Sequence, residues 1–209
     1  MLNLDAYLKN PCGTLSIPYW KNKNIVIPTN MRIVHDREFC MEMLSDYTDE
    51  PYFRLLHNLD GVNTVLPENT QVKTATQDDI PVIVDVINCS YRDISVTMDQ
   101  VLSFRQHPTY DSSLWILVLD KQTSKVMGCG IAELDPEASE GVLEWIQVLP
   151  ECRGQGIGRL IVNQLLRRIQ GKAKFATVSG KVDNETKPEL LYRKCGFSGN
   201  DLWHILRKK

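Results

Sequence analysis

The densest chemical signal in the chain is Val148-Leu149-Pro150-Glu151-Cys152-Arg153-Gly154-Gln155-Gly156-Ile157-Gly158. An apolar run ends there, a glycine-rich turn follows, and apolar residues then recur at Ile157, Ile161, Leu165 and Ile169, so strand, turn and helix are expected in that order. A helix start leaves several backbone N–H groups without intrahelical partners, all pointing one way. Glycines let a bulky anion approach them, and the helix dipole adds about 0.3–1 kcal/mol of attraction for negative charge. A phosphate or pyrophosphate is the natural occupant. The alternative is a tight turn and nothing more, with Arg153 a solvated surface charge. A nucleoside-triphosphate loop is excluded, because Gly158 is followed by Arg159-Leu160 instead of Lys-Ser/Thr. The dinucleotide fingerprint fails as well: Gly154, Gly156 and Gly158 are evenly spaced, and Lys174-Phe175 stand where an acidic residue belongs.

Other reactive side chains are scattered. Cys12, Cys40, Cys89, Cys129, Cys152 and Cys195 form no C-x-x-C pair, and His35, His57, His107 and His204 are isolated from them. That pattern reads as reduced thiols in a cytoplasmic protein without a metal. Cys152 adjoins Arg153 but has no histidine near it in sequence, which argues against a thiol nucleophile. The composition is that of an ordinary globular chain, 43% hydrophobic and 24% charged, and the net charge of -2 gives no field toward nucleic acid or an anionic membrane. No apolar run approaches the roughly 20 residues of a membrane span. Met1-Leu2-Asn3-Leu4-Asp5 lacks the features of a secretory signal.

The elements that must position the turn lie on both sides of it. Turn chemistry at Gly61-Val62-Asn63-Thr64 and Pro67-Glu68-Asn69-Thr70 divides an extension, residues 1–70, from a domain at 71–209. In the extension a helix is expected from Thr48-Asp49-Glu50-Pro51, with Tyr52, Leu55, Leu56 and Leu59 at helical spacing. That apolar face argues that the extension packs on the domain; the alternative is a partner-binding segment. The domain begins with a strand at 72–76 and capped helices opening at Thr76-Gln77-Asp78-Asp79 and Thr97-Met98-Asp99-Gln100. Strands follow at 114–119, 126–134 and 142–149, then a helix over 156–169 and a strand at 174–179. The last helix is expected to open on a capping box at Thr186-Lys187-Pro188-Glu189 and stop at Gly196, before a final strand at 203–205. The order β-α-α-β-β-β-α-β-α-β is an α/β arrangement.

Two motifs carry a family resemblance. Arg153-Gly154-Gln155-Gly156-Ile157-Gly158 resembles the Arg/Gln-x-x-Gly-x-Gly/Ala signature of the GCN5-related N-acetyltransferase (GNAT) superfamily, and Val148-Leu149-Pro150 its preceding strand end. Asn184 with Leu191-Tyr192-Arg193-Lys194-Cys195-Gly196-Phe197 is similar to the family's Asn…Leu-Tyr-x-x-x-Gly-Phe segment. The resemblance covers about residues 72–209 and implies a mixed central sheet flanked by helices, here with an N-terminal extension. It also implies an acetyl-CoA-dependent N-acetyltransferase acting on an amine of a small molecule or protein, with a homodimer left open. A non-catalytic acyl-CoA-binding sensor or interaction module is the other reading.

Carried onto this chain, the resemblance assigns the pyrophosphate to the amides of Arg153, Gly154, Gln155, Gly156, Ile157 and Gly158, with Arg159 nearby. The amides of Ile146 and Val148 would hold the acetyl carbonyl, and Asn184 the pantetheine arm or its loop. Tyr192, whose hydroxyl has an ordinary pKa near ~10, would protonate the departing thiolate. Glu144 is the candidate base, on the argument that Glu144, Ile146 and Val148 share a strand face by period-2 alternation. Glu133 and Asp135 are weaker candidates. Some relatives place a fifth-strand glutamate where this chain has Ser179, so that base is missing.

Overall fold

The computed structural model describes residues 3–23, 25–63, 65–90 and 94–209 of the 209-residue chain. The turn reading at Thr64 and the N-terminal reading at Met1 and Leu2 fall outside the described residues. The chain forms two compact units, Met1–Asn58 with Thr177–Lys209, and Leu59–Ala176. Its elements are α1 (Leu4–Lys9), α2 (Pro11–Thr14), α3 (Tyr19–Asn22), β1 (Met31–His35), β2 (Tyr47–His57), β3 (Thr70–Thr74), α4 (Ile80–Ser90) and α5 (Met98–Phe104). There follow β4 (Trp115–Asp120), β5 (Val126–Asp135), β6 (Glu140–Val148), α6 (Ile157–Ile169), β7 (Phe175–Lys181), α7 (Pro188–Lys194) and β8 (Ser198–Lys208). From β3 onward the order is the one expected from the sequence, and the fold class is α/β with a mixed set of strands.

In the unit Leu59–Ala176 the strand order is β6-β5-β4-β3. Both helices before β4 begin on capping boxes. The Asp79 carboxylate accepts the Thr76 N–H at 2.8 Å, and Gln100 Oε1 accepts the Thr97 N–H at 2.8 Å while the Thr97 hydroxyl accepts from the Gln100 N–H. Ile80, Ile83, Val84 and Ile87 of α4 and Val101 of α5 bury against Trp115, Leu117, Cys129 and Ile131. α6 covers the opposite face. Gly128 and Gly130 of β5 lie beneath it, and a Cβ at Gly128 would stand 3.1 Å from Ile161 Cδ1. Glycine there lets the helix sit close to the sheet.

In the unit Met1–Asn58 with Thr177–Lys209 the order is β1-β8-β2-β7, and the boundary between the units falls within β7. β8 pairs antiparallel with β1 and with β2. The helix expected from Thr48 is absent, because those residues form the strand β2. Phe53, Arg54 and Leu55 are consecutive and all buried, so the strand is covered on both faces and period 2 is erased. The spacing of Tyr52, Leu55 and Leu56 then imitates a helix. Pro51 has no N–H to donate, and its carbonyl accepts from the Val182 N–H at 2.9 Å. Arg54 is 1% exposed and donates to Tyr7 Oη, Ser179 Oγ and Thr177 Oγ1.

The capping box expected at Thr186–Glu189 does not form. The Thr186 N–H and hydroxyl both donate to Asn184 Oδ1, at 2.9 and 2.7 Å, while Glu189 pairs with Arg193 at 2.7 Å. Lys187 in the left-handed region (φ 48°) precedes α7 instead. Asn184 outcompetes Thr186 because its turn satisfies two donors at once. Gly196 ends α7 at φ 96°, as expected.

Candidate active site

β6 delivers the turn. After Val148 a short 3-10 turn over Pro150–Cys152 leads to Arg153, and α6 begins at Ile157. Gly154 and Gly156 adopt φ of 77° and 81°, a left-handed conformation that costs other residues about 1–2 kcal/mol. The consequence is an open row of donors. The amides from Gly154 to Arg159 make no hydrogen bond to any described residue, and the Leu160 N–H is the first to find a helical partner, Gly156 O at 3.0 Å. Gly154, Gln155 and Gly156 are exposed, so an anion can reach these amides from solvent.

Arg153 is not a free surface charge. Its Nε donates to Val148 O at 3.3 Å and its Nη2 to Ser90 O at 3.0 Å, clasping the end of α4 to the end of β6. Its own amide donates to Pro150 O, so the row of open amides starts one residue later than the motif suggests. Gln155 folds its side chain back onto Glu151 O at 3.3 Å. Arg159, exposed in the first turn of α6, borders a cavity of about 350 Å³ together with Gly156, Leu160 and Asn163.

Upstream, Ile146 faces Gly130 and Val148 faces Gly128 across the β5–β6 ladder. The register pairs Ile131 with Trp145 but Ala132 with Leu143, which makes Glu144 the extra residue of a β-bulge. The alternation that put Glu144 on the face of Ile146 is therefore interrupted at Glu144 itself. Trp145, half-buried, stacks with Phe104 at 6.3 Å between ring centres. The two weaker base candidates have other partners: Asp135 Oδ1 accepts the N–H groups of Glu137 and Ala138 in the β5–β6 turn, and Glu133 lies 3.6 Å from His107 Nδ1. Burial pushes the Cys152 thiol above its ordinary range, and the carboxylates of Glu151 and Asp120 add to this. The neutral thiol is favoured, in keeping with no nucleophilic role.

Glu144, Ile146, Val148 and the run from Arg153 to Arg159 thus belong to the unit Leu59–Ala176, whereas Asn184 and Tyr192 belong to the other. Within its own unit Tyr192 is 7% exposed, with the rings of Phe197 at 5.8 Å and Phe53 at 6.2 Å. Asn184 Oδ1 holds the turn before α7, as described above. Sequence reasoning missed Ser90 and Asn163. Ser90 carries no local signal; Asn163 carries one, as a polar residue buried in the middle of α6.

No group of three or more His, Cys, Asp or Glu side chains able to hold a metal occurs among the described residues, and none of the described helices is long and apolar enough to cross a membrane. No curated protein matches the chain in sequence. Among solved structures it is similar to a GCN5-related N-acetyltransferase from Sphaerobacter thermophilus, with a TM-score of 0.69 at 18% identity. That match covers 90% of this chain but 63% of the other, so the chain spans less than two thirds of that protein. A GNAT-family acetyltransferase from Colwellia psychrerythraea gives 0.63 at 14% identity, covering 91% and 69% of the two chains. The ribosomal-protein-S18-alanine N-acetyltransferase from Escherichia coli gives 0.53 at 16%, covering 66% and 91%. Residues 111–199 match the family model of the acetyltransferase (GNAT) domain. Over residues 111–199 the chain is thus similar to the acetyltransferase (GNAT) domain, and its fold is that of the solved GNAT acetyltransferases.

Proposed function

We propose that the chain moves an acetyl group from acetyl-CoA to a primary amine, on a small molecule or on a protein. The observation that carries this reading is the row of open amides from Gly154 to Arg159, a fit for a pyrophosphate at a helix N-terminus. Acetyl-CoA, when bound, supplies the activated thioester. The Gly154–Arg159 amides bind its pyrophosphate, and the Arg159 guanidinium adds a positive charge. The Ile146 and Val148 amides orient the acetyl carbonyl as fixed dipoles. Glu144 takes the proton that an ammonium must lose, and the Tyr192 hydroxyl donates one to the departing sulfur. Asn184 fixes the loop ahead of α7. Proteins of this fold include a ribosomal-protein-S18-alanine N-acetyltransferase and a glucosamine N-acetyltransferase region, so both protein and sugar amines are in scope as acceptors. The reading places the enzyme in the cytoplasm, without a metal.

The test is release of free thiol from acetyl-CoA with a panel of amines, the acetylated products identified by mass spectrometry. Thiol release matched by acetylated amine is the expected result. Thermal stabilisation by acetyl-CoA without release on any amine would make the chain a binding module instead.

A further inference from the structure

His204 of β8 lies opposite Val34 of β1 and Pro51 of β2. That register brings a carboxylate to it from each neighbour. Asp49, two residues before Pro51, shares the face of His204 by alternation, and Asp36 follows β1 directly, two residues past Val34. Asp49 Oδ2 stands 2.7 Å from His204 Nδ1, and Asp36 Oδ1 stands 3.3 Å from Nε2. The Phe39 ring stacks on the imidazole at 3.8 Å with an angle of 4° between the planes. His204 is buried beneath these groups.

An ionised carboxylate can only accept, so both ring nitrogens must donate, and an imidazole donates from both only as the imidazolium. Asp49 Oδ1 is buried with no hydrogen bond to a described residue, which leaves the ring as the group that carries this carboxylate. The neighbouring His35 has the opposite requirement. Its Nδ1 accepts the Arg37 N–H at 3.2 Å while its Nε2 donates to Asp201 Oδ1 at 3.1 Å, and that is the neutral form. The 3-10 turn Asp36–Glu38 is thus held through Asp36 by a charged histidine and through Arg37 by a neutral one. Other charged groups nearby are turned elsewhere or solvated. Arg32 lies over the Tyr47 ring at 5.8 Å, Arg37 Nη2 donates to Asp201 at 3.3 Å, and Glu38, Asp46 and Lys208 are exposed. The exposed Glu42 carboxylate is taken up by its own amide and the Cys40 side chain.

We infer that the turn after β1 is a pH-gated latch, held while His204 is protonated and released when it loses the proton. Neutral His204 keeps the shorter bond, from Nδ1–H to Asp49. Its Nε2 then presents a lone pair to the Asp36 carboxylate, and the two repel. Asp36, whose side chain is 58% exposed, swings into water. Phe39 at the same moment loses the cation beneath its ring face. The hold is therefore complete where His204 is charged and is lost as pH rises through its titration. A second limb lies on the acid side, where a proton on His35 Nδ1 displaces the Arg37 N–H. The turn is fully held only in the window between these two events.

The test follows the histidine ring nitrogens by NMR and the backbone amides by hydrogen exchange, on the full chain, from about pH 5 to about pH 9. The reporter is the Phe39 N–H, which closes the turn on His35 O at 3.1 Å and Asp36 O at 3.3 Å. Exchange is expressed as protection over the unstructured rate, which removes the intrinsic effect of pH. Protection of Phe39 is expected to fall about three- to tenfold as the His204 ring passes from two N–H groups to one. The Ala75 N–H, bonded to Trp115 O at 2.7 Å, is the control and is expected to hold its protection. Asp36→Asn, on an exposed side chain, is expected to abolish the alkaline fall, because a carboxamide can meet either form of Nε2. His204→Gln is expected to leave the turn weakly protected, with no alkaline fall. Loss of the His204 proton with Phe39 unchanged, or an alkaline fall that persists in Asp36→Asn, overturns the latch. A His204 ring that keeps one form across the whole range overturns it as well.

Discussion

Gly154 offers a clean measure of what the open turn costs. Its φ is 77°, and a Cβ built there meets nothing within 4 Å. In Gly154→Ala the added methyl group therefore neither clashes nor packs, and the change isolates backbone conformation. Holding alanine in the left-handed region costs about 1–2 kcal/mol. Stiffening of the unfolded chain returns about 0.4–1 kcal/mol. About 1 kcal/mol of net destabilisation remains, or a melting temperature lower by ~2–4 °C for a chain of this size. The turn has two ways to carry this cost. It can keep its shape and lose stability, or relax, turn its amides away, and lose about five- to tenfold in acetyl-CoA affinity. Urea unfolding, read as a midpoint shift at constant slope, and calorimetry with acetyl-CoA together measure both routes. Gly171 is the control, with φ 78° and equally open surroundings. Gly171→Ala is expected to lose the same stability while its acetyl-CoA affinity stays put. If Gly154→Ala changes neither quantity while Gly171→Ala is destabilised, the turn does not hold the left-handed backbone on which the cradle depends.

Tyr192→Phe is expected to keep the fold and acetyl-CoA affinity but lower turnover at least about tenfold, read by thiol release with chemistry rate-limiting. Full turnover would make Tyr192 a packing residue. Glu144→Gln is expected to slow the reaction most at low pH, where the amine needs help losing its proton; a defect that ignores pH points to a structural role for the bulge. Arg153→Leu removes the clasp on Val148 O and Ser90 O and is expected to cost about 0.5–1.5 kcal/mol in urea unfolding; unchanged stability would mean the clasp is not held in solution. Because burial and the nearby carboxylates favour the neutral Cys152 thiol, iodoacetamide is expected to label it slowly at pH 7 and faster only as pH rises above the ordinary thiol range. Rapid labelling at neutral pH, read by peptide mass mapping, would contradict that environment.

From Thr70 onward most elements were legible from local signals, although the box read at Thr186–Glu189 does not form. Thr76 with Asp79 and Thr97 with Gln100 spell capping boxes, and Gly196 stops a helix as its position suggests. The first 58 residues were not legible. Asn3 and Asn10 look like turn residues but cap helices of six and four residues, too short to show periodicity. β2 is buried on both faces and so has no alternation to read. At the candidate site the glycine turn could be read from composition, but the bulge at Glu144 could not. It exists only as a mismatch in counting between two strands. The Arg153 clasp likewise depends on Ser90, far away in sequence and brought near by folding alone.

β8 has a further consequence. Met31 of β1 pairs with Arg207 and Tyr47 of β2 with Lys208, so among the described residues two strands made early are joined in the sheet through one made much later. The residues from Leu59 to Ala176 form a continuous unit whose internal contacts can form once that stretch has left the ribosome. The other unit is discontinuous. Its early strands must wait through the synthesis of the whole intervening stretch, with their hydrogen-bonding edges open, until Ser198–Lys208 emerges. Chaperone dependence, and aggregation of nascent chains stalled before residue 198, should therefore concentrate on the first 58 residues.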